Sequence, residues 1–113
     1  MHALIIEDES LLAEMIEHVL RDRGVLTVDI ADTYTAAIAA AAMRPPRLIT
    51  ADVQLAEGCG IDAVQAITSL IAPAVLFVTG SGDEVRLRLP EAAVVDKPFS
   101  AATLGLAVAR ALE

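Results

Sequence analysis

Four short apolar runs, separated by longer segments of mixed polarity, each end on polar residues: LIIED on Glu7 and Asp8, LITAD on Asp52, LFVTG on Thr79, and AVVDK on Lys97. Short apolar runs alternating with helix-length amphipathic segments read as parallel strands joined by crossover helices, an α/β sheet. In such a sheet the carboxyl ends of the strands share one edge, and ligands bind along it. The spacing therefore predicts that several carboxylates, one hydroxyl and one amine converge on a single shallow site. Lys97 is the only lysine, the other seven basic residues being arginine.

Size and charge narrow the possibilities. The 113 residues are expected to form one domain, 1–113, with a self-sufficient core. The apolar fraction is 56%, but 22 of those residues are alanine, and the longest unbroken apolar stretch is Ala36 to Met43. A spanning helix needs ~20 apolar residues, so no membrane span is expected. The first acidic cluster arrives at Glu7 with no charged-then-apolar leader before it, and a cytoplasmic location is expected. A net charge of −8 argues against nucleic acid and anionic membranes as partners. The single cysteine, Cys59, rules out an internal disulfide, and no Cys/His cluster has zinc spacing.

Along the chain, residues 3–7 form a first strand, apolar enough to be buried on both faces. A helix follows from about Ser10 to Arg23, with Leu12, Met15, Ile16, Val19 and Leu20 on its inner face and Gly24 as its stop. Thr27 to Ala31 alternates polar and apolar as an edge strand does. Asp32 can cap an alanine-rich second helix that Pro45 and Pro46 end. Leu48 to Ala51 is the third strand. A third helix spans about Ile61 to Ile71, with Ala63, Val64, Ile67, Leu70 and Ile71 inward. Val75 to Val78 and Ala93 to Val95 are the last strands, and Ser100 caps the closing helix, which places Leu104, Val108, Ala111 and Leu112 on one face. Between Gly80 and Pro90 no helix is clear, because Val85, Leu87 and Leu89 alternate with Arg86 and Arg88. At most two helical turns are expected there.

If five such strands wind in the order 2-1-3-4-5, the winding reverses between the first and the third. Asp8 and Asp52 then sit side by side. Like charges so close call for a bridging cation, and an oxygen site with an open rim suits Mg²⁺. Glu7 adds charge through a metal-bound water. Asp52 is central and precedes a flexible turn, which makes it the nucleophile candidate for an acyl phosphate. Thr79 can donate to a phosphoryl oxygen, and Lys97 supplies a compact positive charge. Each residue has a plainer role open to it. Acids after strands often act as caps, Thr79 can simply end a strand, and Lys97 can be an edge charge. Asp83, Glu84, Asp96, His2 and His18 read as surface residues, Cys59 as an exposed loop residue and Tyr34 as packing.

The four motifs LIIEDE, TADVQL with the following GCG, VTG and DKPF resemble, in this order and over the whole chain, the receiver domain of two-component response regulators. That resemblance implies a flavodoxin-like receiver fold with sheet order 2-1-3-4-5 and a short or irregular fourth helix. It implies phosphorylation of Asp52 by a partner histidine kinase or histidine phosphotransfer protein. It implies Mg²⁺ held by Asp8, Asp52 and the backbone carbonyl of Gln54, with Thr79 and Lys97 on the phosphoryl group. It also implies a cis Lys97–Pro98 peptide, a minority state at roughly 5% of X–Pro bonds. The chain departs from the pattern in three places. Val94 stands where the family has an aromatic switch residue, Ala56 where it has a proline, and the threonine-to-lysine interval is short. With LFVTGSG these features are similar to stand-alone receivers carrying an F-x-T-G signature.

A stand-alone receiver acts by binding a downstream protein target or by draining phosphoryl groups. The expected partner surface is the 80–90 segment with the last strand and helix: Val85, Leu87 and Leu89 for contact, Arg86 and Arg88 for orientation, and Val94 beside them. Val94 and the weak fourth helix favour an alternative, a pseudo-receiver that binds without phosphorylation. An enzyme on a similar fold is disfavoured. Gln54 occupies the place where an aspartate-based phosphatase needs a second acid, EDES would repel a phosphate, and no P-loop is present.

Overall fold

The computed structural model describes all residues, 1–113. The elements alternate strictly in chain order: β1 (His2–Ile6), α1 (Ser10–Asp22), β2 (Thr27–Ala31), α2 (Tyr34–Met43), β3 (Leu48–Ala51), α3 (Gly60–Thr68), β4 (Ala74–Thr79), α4 (Gly82–Arg88), β5 (Ala93–Asp96) and α5 (Ala101–Ala111). The sheet is five-stranded and parallel in the order β2-β1-β3-β4-β5. The expected order holds, and β2 is an edge strand.

Helices cover both faces, so the central strands are apolar on both sides. In β1, Leu4 and Ile6 point into the core layer under α2, α3 and α4, while Ala3 and Ile5 point into the layer under α1 and α5. On α1, Ile16, Val19 and Leu20 are buried at helical spacing. Burial of a side chain such as Leu20, with no exposed surface, stabilises by about 2–3 kcal/mol. Gly24 ends the helix in the left-handed region at φ +96°, where a side chain is disfavoured.

Local signals were legible to different degrees. The cap of α2 is Thr33 rather than Asp32: its hydroxyl accepts from the Ala36 N–H at 3.0 Å, and such a bond is worth about 1 kcal/mol. Ser100 caps α5 in the same way, accepting from the Thr103 N–H at 3.1 Å. The third helix ends at Thr68, earlier than its apolar pattern suggested, because Ser69 and Leu70 close the last turn. Leu70 consequently points outward and is 86% exposed. His2, expected at the surface, is half-buried on β1 against Thr27 and Asp29 of β2.

The 80–90 segment contains α4, a helix of seven residues, within the two turns expected. Its helical twist undoes the alternation read from the sequence. Val85 is fully buried against the α2–α3 side of the core, while Leu87 is 84% exposed. Val85 is therefore a core residue and is unavailable to a partner. Leu89 and Val94 are partly buried against the same core layer. No helix is long and apolar enough to cross a membrane.

Candidate phosphoacceptor site

The ends of β1, β3, β4 and β5 build the site. Ile6 pairs with Ala51 in register, and the Asp52 N–H donates to the Ile6 carbonyl at 2.9 Å. These contacts bring the residues following β1 beside the one following β3. Oxygen atoms of Glu7, Asp8 and Asp52 lie within 4.8 Å of one another. Glu7 and Asp52 are buried and Asp8 is exposed, so the cluster has a closed floor and an open rim.

Lys97 reaches this cluster from the end of β5. Its Nζ lies 2.7 Å from Asp52 Oδ2, 3.2 Å from Glu7 Oε1 and 3.8 Å from Glu9 Oε2. Thr79 pairs with Asp96, and the Lys97 N–H donates to the Thr79 carbonyl at 3.0 Å, which fixes the base of the lysine side chain against β4. The Lys97–Pro98 peptide is cis, as the resemblance implied. Thr79 is fully buried, and its hydroxyl accepts from the Ser81 N–H at 3.0 Å. The hydroxyl therefore links the end of β4 to the start of α4.

The charges are unbalanced. Burial raises the Glu7 carboxyl above the usual glutamate range, against the lowering effect of the Glu9 N–H and of Lys97. Burial also works against the Lys97 ammonium, but the hydrogen bond and charge of Asp52 with those of Glu7 outweigh it and hold Lys97 above its ordinary value. One ammonium faces three clustered carboxylates, so the pocket retains net negative charge at neutral pH.

The loop after Asp52 packs tightly. Asp52 Oδ1 accepts from the Val53 N–H at 2.7 Å, which holds the carboxylate in one orientation. Gly60 folds back against Asp52, where any side chain would collide with the Asp52 carbonyl. Gln54 lies in this loop with its side chain exposed and forms a bridge to Cys59. Cys59 is half-buried, with its sulfur 3.8 Å from an Arg88 nitrogen.

Two contacts had no signal in the sequence. Arg86 forms a paired hydrogen bond with Asp96, at 2.6 and 3.3 Å, tying α4 to the residue before Lys97. Arg88 bonds Asp62 at 2.7 Å and Gln65 at 3.1 Å, tying α4 to α3. Asp96, read as a solvated acid, is thus half of a clamp. Its carboxyl is held below the usual aspartate range, first by the hydrogen bond from Arg86. Residues ten positions apart on different elements show no periodic pattern, so only the fold reveals the pair.

Comparison with known proteins agrees with this geometry. The family model of the response regulator receiver domain matches residues 3–109. The chain is 35% identical to the phyllosphere-induced regulator PhyR of Methylorubrum extorquens over 113 aligned positions, covering 96% of this chain and 42% of that protein. The solution structure of the Erythrobacter litoralis PhyR receiver domain superimposes with a TM-score of 0.89 at 34% identity, covering 98% of this chain and 88% of that one. The crystal structure of the anti-anti-sigma factor PhyR from Bartonella quintana gives a TM-score of 0.83 at 34% identity, covering 98% of this chain and 46% of that one. The chain thus spans less than half the length of the full-length PhyR proteins it matches. Sequence, topology and the family match together place this chain among the response regulator receiver domains of two-component signalling.

Proposed function

We propose that the chain is a phosphoacceptor receiver with Asp52 as the acceptor. The observation that carries this reading is Lys97 Nζ at 2.7 Å from Asp52 Oδ2, inside a cluster of three carboxylates at the ends of the central strands. A carboxylate oxygen of Asp52 attacks the phosphorus of a phosphohistidine on a kinase or phosphotransfer protein. The P–N bond breaks, its electron pair returns to the imidazole, which takes up a proton, and Asp52 carries an acyl phosphate. Lys97 is placed to exchange its bond to Asp52 for one to a phosphoryl oxygen.

Glu7, Asp8 and Asp52 fit a hard divalent cation, because their donors are all oxygen and carry more charge than Lys97 balances. Asp8, Asp52 and the Gln54 backbone carbonyl would hold Mg²⁺, with Glu7 acting through a water. When bound, Mg²⁺ offsets the charge of the transferring group. Thr79 now accepts from the Ser81 N–H. Turning its hydroxyl toward a phosphoryl oxygen gives up that bond and frees the first turn of α4, the route from the pocket to the surface. The exposed Arg86, Leu87 and Arg88, with Leu89 and Val94 beside them, would meet the target. A cytoplasmic protein is the target class, and the anti-anti-sigma role named for the Bartonella relative points to transcription control. The chain itself would turn over no diffusible substrate.

Val94 in place of an aromatic residue favours a second reading, an interaction module read without phosphorylation. Amide NMR of the protein titrated with Mg²⁺ and beryllofluoride, a phosphoryl mimic, separates the two, with Asp52→Asn as control. The phosphoacceptor reading predicts Mg²⁺-dependent shifts at Asp8, Asp52, Thr79 and Lys97 that spread into α4 and vanish in the variant. An unresponsive pocket would overturn it and leave the interaction module.

A further inference from the structure

Away from the pocket, α2 is apolar around most of its circumference, Thr35 and the Tyr34 hydroxyl being its polar groups. From Tyr34 to Met43 it holds no charged residue, and a helix of that kind is normally covered. Here its outer side is open. Tyr34, Ile38, Ala42, Leu70 and Ile71 line a groove of ≈ 670 Å³ between α2 and α3. Leu70 is 86% exposed on its rim, and Met43, at the end of α2, is 88% exposed. Scattered apolar residues at a surface are ordinary, but a contiguous apolar groove marks an interaction site.

The two ends of α2 carry opposite charges that form no ion pair within the chain. At the start of α2 stand Asp32 and Glu57, the latter held there because its carbonyl accepts from the Tyr34 N–H at 2.9 Å. Just beyond its end stand Arg44 and Arg47. None of these four joins an ion pair, and the Arg44 guanidinium meets only the Thr27 hydroxyl. A surface acidic at one end and basic at the other complements itself under a two-fold rotation that sets two α2 helices antiparallel, and the helix dipoles oppose favourably in the same arrangement.

We propose that the α2–α3 face docks a second copy of this chain in a two-fold dimer. The Leu70 and Met43 side chains of each copy cover the groove of the other, and the acidic end of each meets the arginines of its partner. This surface is separate from the α4–β5 side and needs no phosphoryl group. Sedimentation velocity of the full chain, from about 10 µM to about 1 mM, the range in which weak dimers dissociate, reads it directly. The mass is expected to rise toward twice the 11.8 kDa of one chain. Leu70→Glu is expected to keep the protein monomeric throughout. Glu57→Lys should raise the dissociation midpoint about tenfold by losing two rim contacts, and adding Arg44→Glu should restore it. Circular dichroism checks that each variant folds, and because every substituted side chain is exposed, the charge-exchange pair keeps the test open if Leu70→Glu does not. A wild-type protein that stays monomeric across the range overturns the proposal and leaves the groove to another segment or partner. A dimer indifferent to both Leu70→Glu and the charge exchange overturns it as well.

Discussion

The helices α2 and α4 lie on the same side of the sheet, yet they are held by opposite means. The buried contacts of α2 come from Ala37 and Ala41, small residues that let its backbone lie close to the sheet, and no charge anchors it. In α4, only Gly82 and Val85 are buried, and four of its seven residues are charged. It is tied down by Arg86 to Asp96 on one side and by Arg88 to Asp62 on the other. Close packing resists displacement, because moving a packed helix opens voids. Exposed charge pairs contribute little and re-form with water at small cost. By this contrast α4 is the more readily displaced of the two helices, as the proposed Thr79 switch requires, and α2 the more firmly seated.

This contrast can be broken from either side. The largest effect is expected under α2. Ala37 has no exposed surface, and Ala37→Leu should cost about 2–3 kcal/mol in chemical denaturation because the helix must lift to admit the side chain. If it costs nothing, α2 is looser than its packing indicates. Val85→Ala should cost less, about 1–2 kcal/mol for two methyl groups and a small cavity, because the short α4 can settle into the space. Its effect should appear first as faster amide exchange over Gly82–Arg88. A cost above that of Ala37→Leu would make α4 the more rigid helix and reverse the comparison.

The smallest effect on stability, and the most informative one on signalling, is expected from Asp96→Asn. With both partners at the surface, the thermal midpoint should stay near that of the wild type, while α4 amide exchange accelerates. Pocket shifts with Mg²⁺ and beryllofluoride should persist but reach α4 with altered amplitude. Unchanged exchange and unchanged spread would show that the clamp holds nothing. The pH dependence has a definite sign. Because Arg86 holds the folded Asp96 carboxyl below its ordinary value, the contribution of the pair is present above the unfolded aspartate range, about pH 4. It is lost as pH falls through the lower folded value. Protection of α4 should therefore weaken only on acidification below that range, and Asp96→Asn should remove this dependence.

The features legible in the sequence follow from local rules. The apolar runs marked the strands, their polar ends marked Glu7, Asp8, Asp52, Thr79 and Lys97, and the Gly80–Pro90 segment was expected to hold no more than two turns. Errors gathered where a helix and a strand can bear the same letters. Val85, Leu87 and Leu89 alternate as a strand would, but seven residues wound as a helix send Val85 inward and Leu87 out. Leu70 fits the inner face of a longer α3, but the helix stops two residues before it. Thr33 and Asp32 are both plausible caps, and the choice depended on where the chain left β2.

Local rules are enough to give the α/β alternation and the chemical inventory of the pocket, because strand ends in a parallel sheet must share an edge and their polar residues must meet there. Only the assembled fold shows that Lys97 bonds Asp52 rather than solvent, that Asp96 serves as the anchor of Arg86, and that Leu70 and the open side of α2 line one uncovered groove. Periodicity reports which side of one element is apolar. It carries no information about which groups from distant elements come within hydrogen-bond distance, since that is set by the register and packing of the whole sheet.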